Sequence, residues 1–331
     1  MEIAISECVP ITDASSVGEA RRQGQLAAER LGFDEVRCGE FALLATEASR
    51  NVLLHGGGGH AIIFGYRNDR GPVARILALD NGPGIADVAR ALEDGYSTAG
   101  TMGAGLGAMQ RIADSLEIFT ASKGTIVFLE LAAAAPGNGL QIAGLAVPYP
   151  GERLCGDAWA YHQDQDRTVV LLVDGLGHGW EAAGAAKEAV DTFKKRADRA
   201  PRDILGHVHD ALKKTRGAAA GVAEIRPSEK TITYAGVGNT VAVVLGARVS
   251  RNLVSHNGTL GMTIPRIQEF RVDWPSDGIL IMHSDGLQSR WDLSTYSGLL
   301  ARHAAVIGGA LFRDFRRQRD DASVVVVKST S

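Results

Sequence analysis

Apolar residues along the chain switch between two periodicities, and the switches outline its elements. Runs that alternate or are continuously apolar over five to eight residues predict strands at 2–9, 61–66, 73–79, 116–121 and 125–131. Between them, spacing of three and four predicts helices at 14–31, 34–54, about 86–93 and 105–115. Asp34 reads as an N-cap for the second helix and Gly56 as its stop. The second half is richer in strands, predicted at 140–147, 156–163, 168–174, 219–226, 230–236, 240–246, 248–254, 278–284 and 323–328. Helices are expected near 179–197, 201–215 and 293–318.

Between the halves, residues 132–139 lose all periodicity and bring Pro136, Gly137, Asn138 and Gly139 together. The division expected is 1–133, a linker at 134–139 and a second domain over 140–331. At 331 residues the chain is long enough for two cores. The class is α+β. No internal repeat is visible.

Composition changes the picture in one respect. Forty glycines bunch at 56–59, 82/84, 100–107, 175–179 and 236/238, several of them beside carboxylates. Glycine lets backbone approach a ligand closely, so these loops invite a chemical reading. Charge is nearly balanced, with 35 basic and 38 acidic residues, which argues against a nucleic-acid partner. No apolar run approaches the ~20 residues of a membrane helix, so no membrane partner is expected. The start of the chain lacks the pattern of a signal peptide. Cys8, Cys38 and Cys155 share no metal spacing. Both features fit a cytoplasmic location.

In the first half, Glu47 and Asn51 lie four apart and project from one helix face. Asp80 ends an apolar strand and enters a turn with Gly82 and Gly84. A carboxylate there can accept the exocyclic amine of adenine, with the base lying against glycine backbone. The stretch from Gly95 to Gly107 then runs into a helix, and its backbone N–H groups suit phosphates. It is neither a Walker loop nor a dinucleotide fingerprint, because no Gly-Lys-Ser/Thr follows and no strand precedes it.

In this order the three segments resemble the GHKL ATPases, and their wording is similar to the switch-protein serine kinases of the RsbT type over about residues 1–132. The resemblance implies a Bergerat-type α/β sandwich that binds ATP with Mg²⁺. In it Asn51 holds the ion, Glu47 acts as base or water-orienter and Asp80 binds adenine beside Gly82 and Gly84. Thr98, Gly103, Gly105 and Gly107 then belong to the loop over the phosphates. Related anti-sigma factors work by binding alone, so a docking role for this half stays open.

The second half sets acidic residues at strand ends: Asp157, Asp174-Gly175, Asp285-Gly286 and the pair Asp320/Asp321. One Asp-Gly is a turn signal, but four such sites can meet at one edge of a fold. Oxygen donors without a Cys/His cluster select Mg²⁺ or Mn²⁺. Two such ions can activate water against a phosphoryl group. The pattern resembles the metal-dependent protein phosphatases of the SpoIIE/RsbX branch over about 140–328, which implies a four-layer α-β-β-α sandwich. It assigns Asp157, Asp174, Asp285 and Asp320 as carboxylate ligands and the Gly175 carbonyl as a further one, with Asp174 and Asp285 central to catalysis. Asp321 is the alternative to Asp320. Asn239 has no assigned role, and His178 either moves a proton or stabilises its loop. The combined resemblance implies a bifunctional switch acting on a STAS-domain phosphoprotein, such as an anti-sigma antagonist or stressosome-type scaffold.

Overall fold

A computed structural model describes the chain except residues 1, 69–70, 93–104, 122, 134–138, 248, 265 and 331. Thr98, Gly103 and the linker positions 134–138 therefore lie outside the described residues. The architecture is mixed α+β. It divides into two compact units, Glu2–Ala135 with Asp292–Arg313, and Pro136–Trp291 with Asp314–Ser331.

The first unit is built on one antiparallel sheet. Its strands are β1 (Glu2–Ile11), β2 (Gly59–Asn68), β3 (Gly71–Asp80), β4 (Ser115–Ala121) and β5 (Gly124–Ala132), in the order β1-β2-β3-β5-β4. Four helices precede or interrupt these strands: α1 (Ala14–Leu31), α2 (Glu35–Gly56), α3 (Val88–Ala91) and α4 (Gly105–Ile112). The helix ends follow from local chemistry. Asp13 and Ser16 form a capping box at the start of α1, and Asp34 accepts from Arg37 N at the start of α2. The stop of α2 is Gly57, left-handed at φ 70°, one residue beyond the predicted Gly56.

One sheet face packs Ile63, Ile76, Ala78, Val127 and Leu129 against Phe41, Leu44 and Ala48 of α2 and Ala20 and Ala27 of α1. The opposite-facing residues Ile62, Phe64, Leu77, Leu79, Ile126 and Phe128 are buried as well. Helix α7 (Ala304–Phe315) comes from the far end of the sequence to cover part of that face. A Cβ on its Gly309 would stand 3.2 Å from Leu79 Cδ2. His303, just before α7, stacks on Phe128 with centroids 4.4 Å apart.

The second unit holds two five-stranded antiparallel sheets. One joins β7 (Asp157–Gln163), β8 (Thr168–Gly175), β9 (Ala218–Arg226), β10 (Thr231–Val237) and β13 (Phe270–Asp273) in the order β13-β10-β9-β8-β7. The other joins β6 (Leu140–Val147), β11 (Val241–Gly246), β12 (Val249–Leu253), β14 (Ile279–His283) and β15 (Ala322–Ser329) in the order β12-β11-β14-β15-β6. Helices α5 (Trp180–Arg196) and α6 (Pro201–Leu212) bury Ala185, Ala189, Phe193, Ile204 and Val208 with Val169, Leu171, Val173 and Val222 of the first sheet.

One expectation needs correction. The helix at 293–318 is in fact α7 alone, preceded by turns and a 3₁₀ turn at Leu299–Ala301. Asp292 Oδ1 accepts from Ser294 N in an Asx turn, and Gly298 sits at φ 77°, so residues 292–303 cannot continue a helix. By its internal contacts, Asp292–Arg313 groups with the N-terminal sheet. The physical reason is the apolar back face of the N-terminal sheet, which this segment helps to bury.

Candidate functional site

Strand pairing builds the carboxylate cluster of the second unit. Asp157 opens β7, Asp174 lies near the end of β8, and the antiparallel register sets them directly opposite. Like charges in opposed positions destabilise a sheet unless a cation or proton intervenes. Asp157 is 4% exposed, and burial pushes its carboxyl up to about 7, helped by the nearby Asp321 and Asp320. The hydroxyls of Ser284 and Ser323 act in the other direction, but Asp157 Oδ2 has no hydrogen-bond partner among the described residues. Burial, then the charges of Asp157, Asp285, Asp320 and Asp321, raise Asp174 to about 9. Asp320 is raised by partial burial and by Asp285. These mutual effects mean that the sheet ends and the following loops gather all five carboxylates in one place.

Close backbone approaches explain the glycines around them. A Cβ on Gly175 would lie 2.4 Å from Ala182 O, and one on Gly286 would lie 1.9 Å from Asp321 O. Gly175 N donates to Gly156 O at 3.0 Å, tying the two acid-bearing loops together. The pair at 320 and 321 is divided by its partners. Asp321 is 2% exposed, and its carboxylate accepts from Tyr149 N at 2.7 Å and Gly156 N at 3.0 Å. Asp320 accepts only the amide of Asp321 among the described residues and stays half-buried. Asn239 Nδ2 donates to Asp285 Oδ2 at 2.6 Å, a role the sequence left open. His178 stacks on Tyr149 at 4.9 Å and places Nδ1 3.2 Å from Glu152 Oε1.

The donor chemistry fits divalent cations. The carboxylates offer hard oxygen ligands, an unpaired buried oxygen on Asp157 and excess negative charge. Among the described residues no three His, Cys, Asp or Glu side chains close into a ready-made cage, so backbone oxygen and water must supply part of any coordination shell.

In the first unit, Asp80 ends β3 and is 8% exposed. Its Oδ1 accepts from Gly82 N at 2.9 Å and Thr125 N at 3.0 Å. Gly82 presses on the end of α2, where its Cβ would stand 2.8 Å from Gly56 Cα. Gly84, at φ 80°, brings its turn against Thr120 and Ala121. Glu47 and Asn51 are half-buried on α2, and Gly105 at the start of α4 lies beside both. A Cβ there would be 3.3 Å from Glu47 Oε2 and 3.6 Å from Asn51 Oδ1. Gly107 is buried within α4. Glu47, Asn51 and Gly105 thus form one group, and Asp80 with Gly82 meets the end of the same helix. Sequence reasoning missed Thr125, whose contribution is a backbone amide and leaves no side-chain signal.

Comparison with known proteins gives one match in each half of the sequence, and the one in the second half spans residues 292–313 without a break. The family model for Stage II sporulation protein E (SpoIIE) matches residues 164–330, and a histidine kinase-like ATPase domain matches residues 11–131. The serine/threonine-protein kinase RsbT of Bacillus subtilis is 37% identical over 112 residues, 34% of this chain and 84% of that protein. The phosphoserine phosphatase RsbX of the same organism is 26% identical over 142 residues, 41% of this chain and 69% of RsbX. A crystal structure of RsbX in complex with magnesium superposes with a TM-score of 0.53 at 20% identity, covering 65% of this chain and all of RsbX. The chain therefore belongs to the SpoIIE family, with a PP2C-type phosphatase domain, and carries ahead of it an RsbT-like histidine kinase-type ATPase domain.

Proposed function

We propose that the protein is a bifunctional switch enzyme that dephosphorylates phosphoserine or phosphothreonine on a STAS-domain protein, with an ATP-dependent serine kinase activity in its N-terminal unit. The observation that carries the phosphatase reading is the opposed pair Asp157 and Asp174 among three further carboxylates, Asp157 being buried with one oxygen unsatisfied. Two Mn²⁺ or Mg²⁺ ions bound there supply an activated water and positive charge for the phosphoryl oxygens. Asp157, Asp174, Asp285 and Asp320 hold them together with the Gly175 carbonyl. Asn239 orients Asp285, and Asp321 locks the neighbouring loops. The magnesium complex of RsbX supports this choice of ion.

In the N-terminal unit the Asp80 carboxylate accepts the adenine amine, with Gly82 and Gly84 allowing the base to lie close. Asn51 binds the Mg²⁺ of ATP, and Glu47 takes the proton of the attacking hydroxyl. Gly105 and Gly107 present the amino end of α4 to the phosphates, and the phosphate contact assigned from the sequence also includes Thr98 and Gly103.

The test starts with Mn²⁺-dependent hydrolysis of an aryl phosphate by wild type and Asp174→Asn. The variant is expected to lose about 10²-fold or more, the equivalent of a few kcal/mol of transition-state stabilisation. A phosphorylated STAS domain is then supplied as substrate, and phosphotransfer from ATP is followed with Glu47→Ala as control. Folded, metal-loaded wild type that is inert toward both substrates would sink the phosphatase reading. Partner and ATP binding without any phosphotransfer would reduce the N-terminal unit to docking.

A further inference from the structure

We infer that nucleotide bound at Asp80 controls the phosphatase centre through the chain segment 292–313, an inference that rests on the two sites proposed above. That segment joins two of the proposed metal ligands. Asp285 stands just beyond the end of β14 and Asp320 just before the start of β15. Between them the chain leaves the second unit after Trp291 and re-enters it at Asp314.

The excursion is closed at its base by backbone bonds beside the ligands. Gln288 N donates to Phe315 O at 2.9 Å, and Arg317 N donates to Gly286 O at 2.7 Å. A bridge between Leu287 and Arg316 lies between these bonds. Gly286 follows Asp285 directly and abuts the Asp321 carbonyl. A shift of either end at the base therefore moves the backbone that sets Asp285 and Asp320.

The far part of the segment is held by the nucleotide-side strands. Arg313 Nη1 donates to the carbonyl of Asp80 itself at 3.3 Å. His303 N donates to Glu117 Oε2 at 2.9 Å, and the His303 ring stacks on Phe128. Lys123 Nζ lies 5.2 Å from the Tyr296 ring centroid. Gly309 lies against Leu77 and Leu79, on the strand that ends in Asp80. Helix α7 is buried from Ala304 to Phe312, so it moves as a packed body rather than by bending. Adenine binding that adjusts Asp80 acts on Arg313, and Arg313 lies seven residues before Asp320.

A ligand shifts such an element only by its differential affinity, and the coupling is reciprocal. The experiment uses the full chain and para-nitrophenyl phosphate hydrolysis over a titration of buffered free Mn²⁺. It is run with and without a non-hydrolysable ATP analogue, at a concentration that calorimetry has shown to be saturating. The expected result is a shift of about fivefold or more in the Mn²⁺ midpoint. In Arg313→Ala the basal rate and analogue binding persist while the shift disappears. Hydrogen exchange of wild type supplies a reading independent of that variant's folding, with protection across 304–315 changing when the analogue is added. Superimposed Mn²⁺ curves together with unchanged exchange, in protein that binds the analogue and hydrolyses the phosphate ester, would overturn the inference and leave both site assignments standing. Absence of analogue binding would overturn it together with the ATP-site reading.

Discussion

Asp157 and Asp174 oppose one another across paired strands, and each holds its proton to higher pH than a free carboxyl. The unfolded chain releases those protons near pH ~3.9. Native protein without metal therefore binds more protons than the unfolded chain above that value, and its stability falls as pH rises. The loss runs through about 7 for Asp157 and about 9 for Asp174. Melting temperatures of metal-stripped protein should accordingly decline between pH 6 and 9, with Asp174→Asn flattening the upper part. Added Mn²⁺ should raise the melting temperature more at pH 8 than at pH 6, because the deprotonated site is the one that binds. A metal-stripped wild type whose melting is flat over this range would contradict the carboxylate repulsion. The neighbours Asp320 and Asp321 are separable by the same kind of measurement. Asp321→Ala strands the amides of Tyr149 and Gly156 and should cost about 1–3 kcal/mol in metal-free stability. Asp320→Asn should not lower that stability, because it relieves the repulsion with Asp285, and should weaken Mn²⁺ binding. The opposite pattern in denaturant and metal titrations would exchange their roles.

At the scale of elements, the strands were legible because both faces of several are buried. Residues 73–79 are apolar except for Arg75, which pairs with Glu130, and β3 is buried along nearly its whole length. The acid-bearing loops were legible for a related reason, since a carboxylate next to glycines at a strand end stands out from the apolar run before it. Register was not. Nothing in the order of residues fixes the hairpin register that sets Asp157 against Asp174, and the contacts of Asn239 with Asp285 and of Thr125 N with Asp80 join distant chain segments. Strand β13, four residues with exposed alternate positions, gave too weak a pattern to find. Helix α7 was recognisable as apolar, but an element apolar on every side carries no amphipathic stripe to show which sheet it will cover. Residues 292–303 contain enough apolar positions to imitate helix periodicity, while the Asx turn at Asp292 and the left-handed Gly298 decide the outcome locally.

For the whole molecule, the consequence is that the N-terminal unit is not a contiguous piece of sequence. Residues 1–135 contain all five strands of its sheet, yet Leu77, Leu79 and Phe128 find partners in Gly309 and His303 from the other end of the chain. Each such side chain contributes roughly 1.5–3 kcal/mol on burial. Exposing the three together removes on the order of 5 kcal/mol, comparable with the 5–15 kcal/mol total stability of an ordinary domain. A fragment ending at residue 135 should therefore melt broadly or self-associate, and its exposed back face should bind a hydrophobic dye. Joining 292–313 to that fragment through a flexible linker should restore a cooperative transition and suppress the dye signal. The same graft carrying Gly309→Leu should restore less, because its added side chain meets Leu77 and Leu79 within about 3.5 Å. If the bare fragment melts as sharply as the graft, the segment is a passenger on the sheet, and its position between Asp285 and Asp320 loses the mechanical meaning given to it. If only the graft is cooperative, folding of the ATPase-like unit depends on a stretch of chain whose two ends set the phosphatase ligands, so the two activities cannot be separated by cutting the linker.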